Sequence, residues 1–235
     1  MGMTSAALRH PRSLDALATL LVDPEWGARA HAARALGSTG LIEASAVLRL
    51  KALLGDPEPQ VMTEVFSGLL TLEPGPAFDF VASFLRRTLD DEPGHFHDLV
   101  AGEPIKGVAA CTACAGFGPA QYLDATADAA ALALGQSRIP AAFEVLRTFA
   151  GEVARDRVAV VLLAIATLRG PAPLDHLVGL VESAPVEVAA HAVSALAIHR
   201  YDDALRARVE KAVYGRKSRP LAKSFSEAFG VAGQG

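Results

Sequence analysis

Apolar residues recur every three to four positions along most of this chain, the spacing that places them on one face of an α-helix. Short polar or Gly/Pro breaks separate these segments. The clearest segment runs from Asp23 to Gly37, with Trp26, Ala30, Ala33 and Leu36 as its stripe. Asp23 has the chemistry of an N-cap, because its carboxylate can accept from the orphan amides of a first turn. Pro24 suits the first helical position, and Glu25 adds negative charge near the positive helix end. Gly37 suits a left-handed stop. The opening returns 33 residues later as Asp56-Pro57-Glu58, with Val61, Val65 and Leu69 as the stripe.

Anchored on Leu36, corresponding leucines fall at Leu69, Leu134, Leu168 and Leu196. Each such helix is preceded by another amphipathic segment: Ser13–Leu21, Leu41–Leu54, Pro76–Leu89, Ile139–Val153 and Pro173–Glu182. Terminal helices are predicted over Asp202–Tyr214 and Pro220–Phe229. A helix pair recurring at this period cannot bury its apolar face alone, so the pairs must stack. The expected fold is all-α: a right-handed α-solenoid of about five helix pairs plus C-terminal capping helices, one domain over residues 1–235. The interval from Leu69 to Leu134 is nearly two periods, and 90–120 is rich in Gly and Pro. That stretch is expected to be an insertion within the third repeat. A degenerate sixth repeat, with a helix near Val108–Ala115, is the alternative.

Composition supports the helical reading. Hydrophobic residues make up 51% of the chain, much of it Ala, Leu and Val, while aromatics are only 6%. Ala and Leu favour closely packed helices; a β-sandwich would want more Thr, Tyr and Ile. The apolar run Val158–Leu168 is fenced by Arg157 and Arg169 and is too short to span a bilayer, so it reads as a buried helix. The start shows no secretory signal, and Cys111 and Cys114 are the only cysteines, too few for a disulfide framework. These features point to the cytoplasm and to no membrane association.

The residues Asp23-Pro24, Arg29, Ala32-Ala33 and Ala35-Leu36-Gly37 resemble HEAT repeats, in particular the short bacterial kind related to phycobilisome-lyase repeats. In that family an Asp and an Arg six positions on often form a ladder between repeats. Asp23 and Arg29 match it; Met62 stands where the next Arg belongs, and Ala189 does so in the fifth copy. The resemblance implies a scaffold or adaptor. Related repeat proteins include a di-iron hydroxylase that depends on His-Glu pairs, and this chain has none.

Candidate chemistry is sparse. His95, His97, Cys111 and Cys114 offer two imidazoles and two thiolates, the donor set of a tetrahedral zinc site. The plainer reading, which the unusual His-x-His spacing favours, makes the cysteines small buried residues and implies no cofactor. His31, His176, His191 and His199 read as structural. Trp26, the only tryptophan, could anchor a partner, but filling the contact with the first helix is favoured. No phosphate loop, nucleophile elbow or dinucleotide fingerprint occurs.

Charge is uneven. Residues 52–105 are acidic, with only Arg86 and Arg87 as basic residues. The end of the chain carries Arg206, Arg208, Lys211, Arg216, Lys217, Arg219 and Lys223. This basic patch could meet nucleic acid, but a polar cap closing the stack is favoured. The expected function is therefore a non-catalytic protein–protein interaction scaffold. It would bind a protein or peptide on the concave face of the second helices, through positions such as Arg29, Arg34, Glu64, Asp128 and Arg157. Nucleic-acid binding through the basic segment, or action as a pigment lyase or maturation factor, are the alternatives.

Overall fold

Residues 11–86 and 119–230 are described by a computed structural model. Among them are twelve α-helices and no strand. The chain groups into two compact units, Met1–Ser137 and Arg138–Gly235, where the periodicity suggests one unbroken run of repeats.

The first unit holds three helix pairs. They are α1 (Pro11–Leu20) with α2 (Trp26–Gly37), α3 (Ile42–Leu54) with α4 (Pro59–Leu72), and α5 (Pro76–Ser83) with α6 (Pro119–Ser137). A 3-10 turn at Phe84–Arg86 extends α5 and also packs on α6. The second helices stack in a row, α2 on α4 and α4 on α6. Leu36, Val61, Val65, Phe66, Leu69 and Leu134 are completely buried along that row. Burying each such side chain stabilises the fold by roughly 1.5–3 kcal/mol. The predicted stripes are thus the core of the stack. Helices α5 and α6 pack directly on each other, and the stretch expected to be an insertion, 90–120, lies almost wholly outside the described residues. The helix proposed near Val108–Ala115 lies outside the described residues.

The second unit repeats the plan with α7 (Ala142–Glu152) and α8 (Val158–Thr167), α9 (Pro171–Ser183) and α10 (Val186–Leu196), and α11 (Asp203–Gly215) and α12 (Arg219–Phe229). Here α8, α10 and α12 form the row of second helices, and α9 carries α11. The two terminal helices therefore continue both rows as a further pair. The apolar run predicted to be buried is α8, with Val161, Leu162, Ala164, Ile165 and Ala166 in the core.

Two local expectations need correcting. Asp23 does not cap α2: its Oδ1 accepts from the Glu25 amide at 2.9 Å, and Glu25 is the N-cap, accepting from the Gly27 amide. Pro24 consequently lies in the turn ahead of the helix. Nor does Gly37 stop α2 in a left-handed conformation. It is the last helical residue, Ser38 is the cap in right-handed geometry, and Gly40 takes the positive φ of 70°. Gly37 is needed for another reason. A Cβ there would sit 2.5 Å from the Gly68 Cα, so α2 and α4 touch backbone to backbone.

Candidate functional site

The second helices of the first unit carry polar groups that link neighbouring pairs. On α2, the exposed Arg34 donates to Glu64 of α4 through Nε at 3.0 Å and through Nη2. On α4, Ser67 donates to Gln136 of α6 at 3.4 Å. Small residues behind this row let the helices approach closely enough for these short bridges, as Gly37 and Gly68 show.

Deeper in the same contact lies Asp56, only 3% exposed. Arg29 donates to both of its oxygens, at 2.7 and 2.9 Å. Lys51 Nζ lies 2.7 Å from Oδ2, and the Glu58 amide donates to Oδ1 at 3.0 Å. Arg29 also donates to the Asp23 carbonyl at 2.9 Å, so one guanidinium joins the turns of the first two pairs. Burial pushes the Asp56 carboxyl up, but its hydrogen bonds to Arg29, Lys51 and the Glu58 amide outweigh that and hold it below the ordinary carboxylate range. The hydrogen bond to Asp56 raises the Arg29 pKa in turn. One rung of an inter-repeat ladder is therefore present, between Arg29 and the aspartate of the following pair. Lys51 supplies a second cation to the same carboxylate, while Met62, one period on from Arg29, is buried in the core.

A third link runs from α3 to the end of α4. Ser45 donates to Glu73 at 2.6 Å and Arg49 at 3.0 Å, while the Arg49 guanidinium lies 4.9 Å from the centre of the Phe80 ring. The bond from Ser45, then that from Arg49, keep the Glu73 carboxyl below its ordinary range.

Of the positions expected to meet a partner, the structure brings Arg34 and Glu64 together at the surface. It removes Arg29 from that set, because its side chain is 12% exposed and is consumed by Asp56. Asp128 is half-buried on α6, and Arg157 is half-buried at the start of α8 in the second unit. Trp26, favoured from sequence to fill the contact with the first helix, is 46% exposed. His199 Nε2–H donates to the Ala166 carbonyl at 2.9 Å, near the end of α8, a structural link. His176 packs edge-on to Phe143 across α7 and α9. Burial, with Arg147 nearby, lowers its pKa against the opposing pull of Glu144.

The basic patch is partly spent on the fold. Arg216 donates to the Val181 and Ala184 carbonyls at 3.1 and 2.7 Å, closing the end of α9. Arg208 pairs with Asp175, Arg206 reaches the Gly230 carbonyl, and Lys223 lies 3.6 Å from Glu227. Lys211, Lys217 and Arg219 remain exposed at the surface. His95, His97, Cys111 and Cys114 lie outside the described residues. Among the described residues no group of three or more His, Cys, Asp or Glu could hold a metal ion, and no helix is long and apolar enough to cross a membrane.

Sequence reasoning missed Lys51, Ser45, Arg49 and Glu73. Their partners lie 5 to 28 positions away, and only the packed register of the pairs brings them together. Asp56 carried a usable signal, since it occupies the place of Asp23 one period on.

In class, this is an all-α protein of helix pairs stacked through their second helices. Residues 2–69, which hold the first pair and most of the second, match the family model for HEAT repeats. The match is to HEAT repeats in general and does not single out the phycobilisome-lyase kind. No curated protein matches the chain.

Proposed function

We propose that this protein is a non-catalytic scaffold or adaptor that binds a protein or peptide along the face of its second helices, in the cytoplasm and without a cofactor. One observation carries this reading: α2, α4 and α6 lie side by side with Arg34, Glu64, Ser67 and Gln136 tied across their outer surface. Such a row is a preformed polar platform that a ligand can meet without ordering it first, which lowers the cost of binding. HEAT repeats commonly serve as protein-interaction scaffolds, in keeping with this. A nucleic-acid ligand has less support, because four of the seven basic terminal residues already serve the fold.

The test is capture from lysate on the immobilised full chain, run beside an Arg34→Ala, Glu64→Ala double variant. A specific protein retained by the parent and lost by the variant supports the reading. No specific retention at any salt concentration, or equal retention by the variant, would overturn it.

A further inference from the structure

A different surface of the first unit carries unspent apolar area. The turns joining α1 to α2 and α3 to α4 lie side by side, because Arg29 bonds the Asp23 carbonyl of one and the Asp56 carboxylate of the other. Around them stand Val22 at 76% exposure, Leu54 at 55%, and Leu53 and Trp26 each at 46%. Large apolar side chains grouped in this way mark contact sites more often than does a single exposed leucine.

The charge of this edge is not neutral. The C-termini of α1 and α3 meet the N-termini of α2 and α4 here, so the helix dipoles offset one another. What remains is the side-chain balance: Asp23, Glu25, Asp56 and Glu58 against Arg29 and Lys51. Both cations are directed inward to Asp56, so the outward charge is carboxylate. Trp26 stands next to Glu25 in the chain, and an exposed indole beside carboxylates attracts a cation through its ring face as well.

We propose that this edge binds a cationic amphipathic helix of a partner protein, whose apolar side covers Val22, Trp26, Leu53 and Leu54 while its Lys or Arg residues meet Asp23, Glu25 and Glu58. The complementarity selects the occupant: an acidic helix would meet like charge, and a wholly polar one would leave the apolar side chains in water. This surface is separate from the Arg34–Glu64 face, so either proposal can fail without the other.

Trp26 is the only tryptophan and therefore a built-in reporter. The probe is a synthetic Leu/Lys amphipathic peptide of about five helical turns, with a Leu/Glu peptide of the same pattern as its counterpart. With the full chain, the Leu/Lys peptide should shift Trp26 emission to the blue and the Leu/Glu peptide should not. Binding measured by anisotropy of the labelled Leu/Lys peptide should weaken about tenfold in Glu58→Lys and in Trp26→Ala, as loss of a close charge pair or an aromatic anchor does. Glu58 makes no side-chain cap bond to α4, and circular dichroism confirms that the variants fold. Glu182→Lys, an exposed reversal in the second unit, should leave affinity within about twofold, since that charge is not one of the carboxylates the proposal assigns to the contact. An equal loss in Glu182→Lys would mean general attraction to an acidic protein and overturn the proposal. So would a silent Trp26, a blue shift on self-association without peptide, or a blue shift on zwitterionic vesicles, which would assign the edge to a second copy or to a lipid surface.

Discussion

Replacing Asp56 with Ala tests the rung that joins the first two pairs. The carboxylate is nearly inaccessible and faces Arg29 and Lys51, each only 12% exposed. Removing it leaves two cations facing each other with no counter-charge and frees the Glu58 amide. Breaking a buried ion pair by deleting one partner costs about 3–5 kcal/mol. The small exposure of both cations lets water reach them, so we expect about 3 kcal/mol, the lower end of that range. Urea unfolding at pH 7, followed by circular dichroism, should show the midpoint falling with little change in slope. The pH dependence gives a second reading. The folded-state pKa of Asp56 lies below its unfolded value, so its contribution is complete above the ordinary carboxylate range and is lost as pH falls through the folded value. Asp56→Asn should therefore lose stability at pH 7 and show a flatter acid limb than the parent. A loss below about 1 kcal/mol, the scale of an exposed pair, together with an unchanged acid limb, would refute the argument that this carboxylate is charged, buried and matched.

Gly37→Ala should destabilise by about 1–3 kcal/mol, the cost of overpacking, because its Cβ would collide with Gly68 backbone that has no rotamer to yield; thermal unfolding by calorimetry reads this, and an unchanged midpoint would contradict it. Arg216→Ala should cost about 1.5–3 kcal/mol, the range for hydrogen bonds to a charged group, by releasing the Val181 and Ala184 carbonyls; faster amide exchange at the end of α9 would locate the effect. His176 has a folded pKa below its unfolded one, so its stabilisation is complete above the ordinary histidine range and declines as pH drops toward the folded value; His176→Leu should flatten that slope, and an NMR titration of the imidazole measures the folded value directly.

The helix pairs were legible because their apolar residues keep one period, and the starts and ends of α3, α9, α11 and α12 fall within two residues of the pattern's edges. Asp23 misled because an Asp-Pro-Glu opening has two candidate caps, and local φ/ψ, which sequence does not fix, gives the role to Glu25. Gly37 misled for a related reason: a glycine at a helix end serves a left-handed stop or a close approach equally well, and only the position of Gly68 decides. Arg29 belonged to a recognisable ladder pattern in the sequence, and its partner is the aspartate of the following pair, as a ladder between repeats requires. Adjacent polar residues on different helices stay invisible until the packing sets their register, which is why the Ser45–Arg49–Glu73 cluster could not be read in advance.

Gly55, at a φ of 76°, ends α3 against the hydroxyl end of Tyr122, and any Cβ there would overlap the phenol oxygen. The third pair's second helix is thus clamped to the second pair by a lock that does not pass through residues 87–118. Helix α6 is also packed along α4, so two contacts with the second pair hold it. Co-expressed as separate chains, residues 1–86 and 119–235 should therefore still associate through these contacts, and a failure to associate would show that the covalent link is required.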